Sequence, residues 1–208
     1  MQGCFITIEG IEGVGKSTNV AFIEAECRAA GNIVQVTREP GGTPMAERIR
    51  DLILETPGDG LSDMGELLLM FAARAEHLTT LIRPALERGE TVICDRFTDA
   101  TFAYQGGGRG LDQAVISTLR TLVQEDLQPD LTILLDAPVE VSAQRIADRP
   151  FQDRFESERA EFFGRVRSSY LEIAAQEPER VQVVDASRPL VEVQADIAVL
   201  LSALQARH

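Results

Sequence analysis

Residues Gly10-Ile11-Glu12-Gly13-Val14-Gly15-Lys16-Ser17 spell G-x-x-x-x-G-K-S/T without a gap. This octapeptide constrains the fold as much as the chemistry, because it works only as the turn between a buried strand and a helix. Its glycines let the backbone curl until successive N–H groups point inward, an anion nest at a helix N-terminus. The flanks satisfy the requirement. Cys4 to Ile8 reads as a buried strand ending at Glu9-Gly10, and Ser17 to Ala30 as a helix closed by Gly31. Lys16 then reaches the outer phosphates of a nucleotide as a mobile point charge, and Ser17 offers a hydroxyl to Mg²⁺.

The same alternation continues along the chain. Strands are predicted at Ile33 to Thr37, Thr91 to Cys94, Leu131 to Leu135 and Val181 to Val184. Helices are predicted at Pro44 to Leu54, Asp63 to Arg88, Val139 to Ala147, Glu158 to Gln176 and Val191 to Ala206, with one more capped by Asp112. Gly106-Gly107-Gly108 predicts a loop. Five buried strands separated by helices imply an α/β fold, a parallel sheet with helices on both faces. No repeat, low-complexity tract or linker interrupts the pattern, so one domain over 1–208 is expected.

Twenty basic against 33 acidic residues give a formal net charge of −13, which argues against binding to nucleic acid or an anionic membrane. Cys4, Cys27 and Cys94 are odd in number and widely spaced, which suits buried thiols in a reducing compartment better than disulfides or zinc. The N-terminus has no basic start followed by an apolar stretch, and no run is long enough to span a bilayer. A cytoplasmic protein is expected.

A phosphate loop is shared by switches, motors and small-molecule kinases, so other residues must choose. Glu12 is an acid inside an anion nest. It reads either as a solvated loop acid or as a group aimed across the cleft at a second substrate or the metal. Arg38 and Pro40 follow the second strand at the sheet edge where ligands bind in open α/β folds. Asp95-Arg96 follows the third strand, where an acid can serve a metal and a guanidinium a phosphoryl group. Phe71 and Arg74 are three apart and share a helix face. They are either a base-binding pair or a core ring with an arginine stem laid along it. His77 reads as a structural or surface histidine rather than a base. Thr101, Tyr104 and Gln105 precede the glycine run. Arg145, Arg149 and Arg154 surround Pro150 and suggest a lid over about 148–157 that closes on phosphates.

Taken together, F-I-T-I-E-G-I-E-G-V-G-K-S, T-R-E-P-G-G-T, F-A-A-R, D-R-F, A-Y-Q-G-G-G-R-G and P-D-L-T-I-L-L-D resemble bacterial thymidylate kinases over essentially the whole chain. The resemblance implies a P-loop NTPase fold of the nucleoside monophosphate kinase type. It implies transfer of a phosphoryl group from ATP to dTMP with Mg²⁺, a step in dTTP synthesis, by a homodimer. It assigns the ATP site to Gly10 through Ser17 with Thr18, Arg145 and Arg188, the last in the adenine loop Asp185 to Pro189. It assigns the dTMP site to Glu12 at the sugar 3′-hydroxyl, Arg38 and Arg96 at the phosphate with Pro40 beside them, Phe71 stacked on thymine, Arg74 at a thymine carbonyl, and Tyr104 beneath the deoxyribose. Thr101 and Gln105 fall near the base. Catalysis goes to Lys16, Arg96 and the lid arginines Arg149 and Arg154, because position 13 is Gly where one branch of the family carries an arginine. Ser17 and Asp95 are the metal candidates. The motif D-R-F departs from the pattern, since Tyr or His often follows the arginine. Other monophosphate kinases and a nucleotide-dependent switch are the rival readings. The chain lacks the N-K-x-D motif expected of a GTPase switch.

Overall fold

A computed structural model describes residues 3–56, 60–147 and 160–206 of the chain. Five strands, β1 (Cys4–Glu9), β2 (Val34–Arg38), β3 (Thr91–Asp95), β4 (Leu131–Asp136) and β5 (Val181–Asp185), form one parallel sheet in the order β2-β3-β1-β4-β5. The central strands are apolar on both faces, as a sheet covered on both sides demands: Phe5, Ile6, Ile8, Ile93, Cys94 and Ile133 are all at most 1% exposed. Chain order reverses between β1 and its two neighbours, and this opens a crevice at the carboxyl ends of β1 and β3. Register aligns Ile8 with Asp95, so the phosphate loop after β1 and Asp95-Arg96 after β3 emerge side by side.

The helices are α1 (Lys16–Ala29), α2 (Pro44–Glu55), α3 (Asp63–His77), α4 (Arg83–Glu87), α5 (Thr98–Thr101), α6 (Gln113–Gln124), α7 (Val139–Ala147), α8 (Ala160–Gln176) and α9 (Leu190–Gln205). Side-chain caps set several starts. Thr43 accepts from the amide of Ala46 with Pro44 at the first helical position, Ser62 accepts from Gly65, and Asp112 accepts from Ala114. The long helix expected from Asp63 to Arg88 is continuous but not uniform, because a wider π-type turn over Leu78–Ile82 joins α3 to α4. Pro84 follows it. Its missing N–H and its ring are incompatible with regular i→i−4 bonding to Thr80, and the widened turn absorbs the conflict.

Two expectations need correction. The second strand starts at Val34 rather than Ile33, which is 69% exposed beyond the sheet edge. The glycines at 106–108 do not form a loop; they end a second wide helical turn over Phe102–Gly108 that packs on α8. The reason is close approach. A Cβ on Gly107 would lie 2.6 Å from the Ser169 Cβ, so absence of a side chain is what lets the two segments touch. The helical start expected at Glu158, like the lid over 148–157, falls outside the described residues. The cysteines are free; Cys27 and Cys94 are buried and Cys4 is half-buried. No helix of the described residues is long and apolar enough to cross a membrane.

Candidate active site

The loop from Gly10 to Gly15 joins β1 to α1 as the motif requires. It lies hard against α7. Gly13 has φ 81°, and a Cβ there would fall 2.4 Å from the Ser142 carbonyl oxygen. With α7 so placed, position 13 has no room for an arginine. Lys16 is buried, and its Nζ donates to the carbonyls of Gly10 (3.0 Å) and Ile11 (2.9 Å). Burial, with Arg96 nearby, brings its ammonium down to about 8. An arriving polyphosphate would stabilise the charged form further. Ser17 and Thr18 face solvent at the start of α1.

Beside this loop a cavity opens between α2, α3, α5 and the turn over Phe102–Gly108. Its floor is a polar triad. Arg96 Nη2 donates to Glu12 Oε1 (2.5 Å) and to the Tyr104 hydroxyl (3.1 Å), while the Tyr104 hydroxyl donates to Glu12 Oε2 (2.5 Å). Burial alone would raise the Glu12 carboxyl, but Arg96 and Lys16 overcome it and hold it below the ordinary range. Burial pushes the Tyr104 phenol well up, so it remains a donor. Arg96 itself has φ 68°, an unfavourable backbone for a non-glycine residue, and its Nε is buried without a hydrogen-bond partner among the described residues. Its amide donates to the Ile8 carbonyl at 2.9 Å, which fixes the turn that aims it.

The far wall carries Arg74, only 3% exposed. Its Nε donates to Glu39 Oε2 (2.7 Å), and its Nη2 donates to the Phe97 carbonyl (3.2 Å) and Thr101 Oγ1 (2.9 Å). Nη1 is buried with no partner among the described residues, an unsatisfied donor on a residue that lines the cavity. Glu39 also meets His77 Nδ1 at 3.0 Å, and His77 Nε2 meets Thr37 Oγ1 at 2.7 Å. Of the two expected places, structural or surface, His77 takes the structural one, bracing Glu39, whose carboxyl Arg74 holds low against the effect of burial. Thr101, Gln105 and Pro40 line the same cavity, and its apolar surface comes from Leu54, Met70, Phe97 and Ala100.

Phe71 is placed differently from expectation. It is 2% exposed and packs with Leu67 and Ile116 between α3 and α6, outside the cavity lining, while its neighbour Met70 faces the cavity. Helical geometry explains this. Met70, four before Arg74, and Phe71, three before it, flank Arg74 on opposite sides, Met70 toward the cavity and Phe71 toward α6; the Arg74 guanidinium carbon lies 4.9 Å from the Phe71 ring centroid. Arg38 also lies outside this cavity. It is 54% exposed, pairs with Glu47 at 2.8 Å, and lines a separate recess with Ser17 and Asp95. In that recess Asp95 Oδ1 is buried without a hydrogen-bond partner among the described residues. Arg145 donates to the carbonyl of Ala186 at 3.0 Å, joining the end of α7 to the segment after β5. Arg188 pairs with Asp196. Arg149 and Arg154 lie outside the described residues.

Sequence reasoning passed over Glu9, Glu39 and Glu66. Glu9 is wholly buried and accepts from the Phe97 amide (2.7 Å) and the Tyr170 hydroxyl (2.7 Å). Burial, helped by Asp99, pushes its carboxyl up to about 8. For Glu9 and Glu66 the missed signal was an acid inside an otherwise apolar strand or helix, which is costly unless it is partnered; Glu39 follows β2 in a loop and gave no such signal.

A family model described as thymidylate kinase matches residues 8–197. The chain belongs to the thymidylate kinase family. A thymidylate kinase of Chromohalobacter salexigens is 61% identical over 202 residues, covering 96% of this chain and 95% of its own. One from Pseudomonas savastanoi pv. phaseolicola is 57% identical over 204 residues, covering 98% and 97%. The crystal structure of thymidylate kinase from Ehrlichia chaffeensis matches with TM-score 0.77 at 35% identity, covering 97% of this chain and 99% of that one. The five-stranded parallel sheet and its phosphate loop are accordingly those of a P-loop nucleoside monophosphate kinase.

Proposed function

We propose that the chain transfers the γ-phosphoryl group of ATP to dTMP, giving ADP and dTDP, a step in dTTP synthesis for DNA replication. Family membership supports the activity. The observation that carries the assignment of substrates to sites is the adjacency of two pockets: a phosphate nest at Gly10 to Ser17, and beside it a cavity bearing a guanidinium at each end, Arg96 toward the nest and Arg74 away from it. ATP lies along Gly10 through Thr18, with Arg145 and Arg188 near its adenine. In the cavity the dTMP phosphate meets Arg96, the sugar hydroxyl meets Glu12, Tyr104 closes the space beneath the deoxyribose, and the base meets Arg74, Thr101 and Gln105. The ring lies against Met70 and Phe97, the residues with apolar surface there.

An oxygen of the dTMP phosphate attacks the γ-phosphorus in line. That oxygen is already anionic, so positioning and charge neutralisation suffice without a general base. Lys16 and Arg96 supply positive charge, joined by Arg149 or Arg154 from the lid, whose closure excludes water. Ser17 and Asp95 line one recess, and the unpartnered Asp95 Oδ1 suits a Mg²⁺ shell. When bound there, the ion would neutralise charge on the β- and γ-phosphates. Arg38, facing this recess, is then closer to the phosphate-transfer zone than to the base.

A cytoplasmic homodimer is part of the reading. Met45 and Leu52 on α2 and Leu68 on α3 are 49%, 53% and 50% exposed on two helices that pack together, an apolar face suited to a second copy. Phosphorylation of dTMP, dUMP, dCMP and dGMP with ATP tests the assignment: dTMP is expected to be the best acceptor. ATP hydrolysis that dTMP fails to stimulate would replace it with a switch-like function. Preference over dUMP rests on one methyl group and is expected to reach only about 1–3 kcal/mol.

A further inference from the structure

Gln105 lines the cavity on the same side as Arg74, yet its amide is already half committed. Its Nε2 donates at 2.9 Å to Oε1 of Glu66, a side chain of α3 with 0% exposure. An amide has two unlike ends, and a neighbouring acceptor decides which end faces elsewhere. With Nε2 tied to Glu66, the end left for a ligand is the oxygen, an acceptor. Arg74 offers the complement. Its Nε and Nη2 are occupied, and buried Nη1 remains as a donor. One donor and one acceptor are thus left over on two residues that line the cavity.

Pyrimidines differ in this pattern. Thymine and uracil carry an acceptor at O4 beside a donor at N3–H; cytosine carries a donor at its amino group beside an acceptor at N3. We infer that Glu66 is the positioning residue that makes the cavity choose a thymine-class over a cytosine-class deoxynucleotide, by holding the Gln105 amide with its oxygen toward the base. Glu66 does not touch the substrate; it sets the polarity of a residue that does. A site built around a matched hydrogen bond rejects the mismatched ligand far more strongly than a shape contact does, because the mismatch leaves buried polar groups unpaired. The inference rests on the dTMP reading above and adds to it the residue that writes the base code.

The test is the ratio of kcat/KM for dTMP to that for dCMP. In Glu66→Gln the partner of Gln105 can donate as well as accept, so the amide is free to turn, and the ratio is expected to fall about tenfold or more. Arg74 keeps its own share of the discrimination. The exchange variant, Glu66→Gln with Gln105→Glu, returns a fixed acceptor: one carboxylate oxygen takes the new amide and the other faces the base, and the ratio is expected to recover to within about threefold of the parent. A structural role alone would depress both substrates together, so an unchanged ratio in folded Glu66→Gln overturns the inference. Should the single variant not fold, the exchange variant decides: a retained ratio supports the assignment and a lost one overturns it. A parent enzyme with no preference for dTMP overturns the substrate reading itself.

Discussion

Arg96 occupies a backbone conformation that any non-glycine residue enters at a cost, and the surroundings hold it there: its amide is bonded to the Ile8 carbonyl and its guanidinium to Glu12 and Tyr104. Retaining that cost suits a group that must meet developing charge. Arg96→Gln is expected to lower kcat/KM for dTMP about a hundredfold, on the order of 3 kcal/mol of transition-state stabilisation, in steady-state assays. A variant as active as the parent would remove Arg96 from the mechanism. Glu9 makes a second prediction, about stability. Its folded-state carboxyl titrates near 8, far above its ordinary value of 4.5, so between those pH values the folded chain keeps a proton that the unfolded chain has lost. The stability this contributes is complete below about 4.5 and is lost as pH rises toward about 8. Glu9→Gln carries no such proton. Relative to the parent, it is expected to gain on the order of 2 kcal/mol in urea unfolding between pH 5 and pH 8. Parallel curves for the two proteins would contradict the assignment.

At the scale of elements, the contact between the turn over Phe102–Gly108 and α8 holds Tyr104 and Gln105 at the cavity, and its closeness depends on Gly107. Gly107→Ala is expected to push α8 away at a cost of about 1–3 kcal/mol, seen as a lower Tm together with a higher KM for dTMP. An unaltered Tm would show that the packing has slack. This turn also marks the limit of what the sequence discloses. Strands β1 and β3 to β5 and the capped helices were legible because apolar runs and Ser, Thr and Asp caps act locally. The glycine run was not, because glycine signals permission rather than shape, and here a distant helix decides its use. The cavity shows the same divide. Lys16, Glu12 and Arg96 could be named from motifs tied to strand ends, and Arg74 and Tyr104 only through the family resemblance. Phe71, expected at the base, packs against α6 outside the cavity lining, because one step around α3 separates it from the cavity-facing Met70. Glu39 and Glu66 stayed hidden because their roles depend on partners 35 and 39 residues away.

For the molecule as a whole, the reversal of strand order around β1 brings the phosphate loop and the cavity beside it to one crevice, where Lys16, Arg74 and Arg96 lie in a chain of net charge −13. Binding is local against that background, which suits two small anions better than a polyanion. One guanidinium is proposed to take the phosphate and the other the base of a single deoxynucleotide. A crystal structure with dTMP bound tests it most directly. The phosphate is expected on Arg96, the ring between Met70 and Phe97, and a base carbonyl on Arg74 Nη1. A pyrimidine bound elsewhere, or turned with its phosphate toward Arg74, would contradict it.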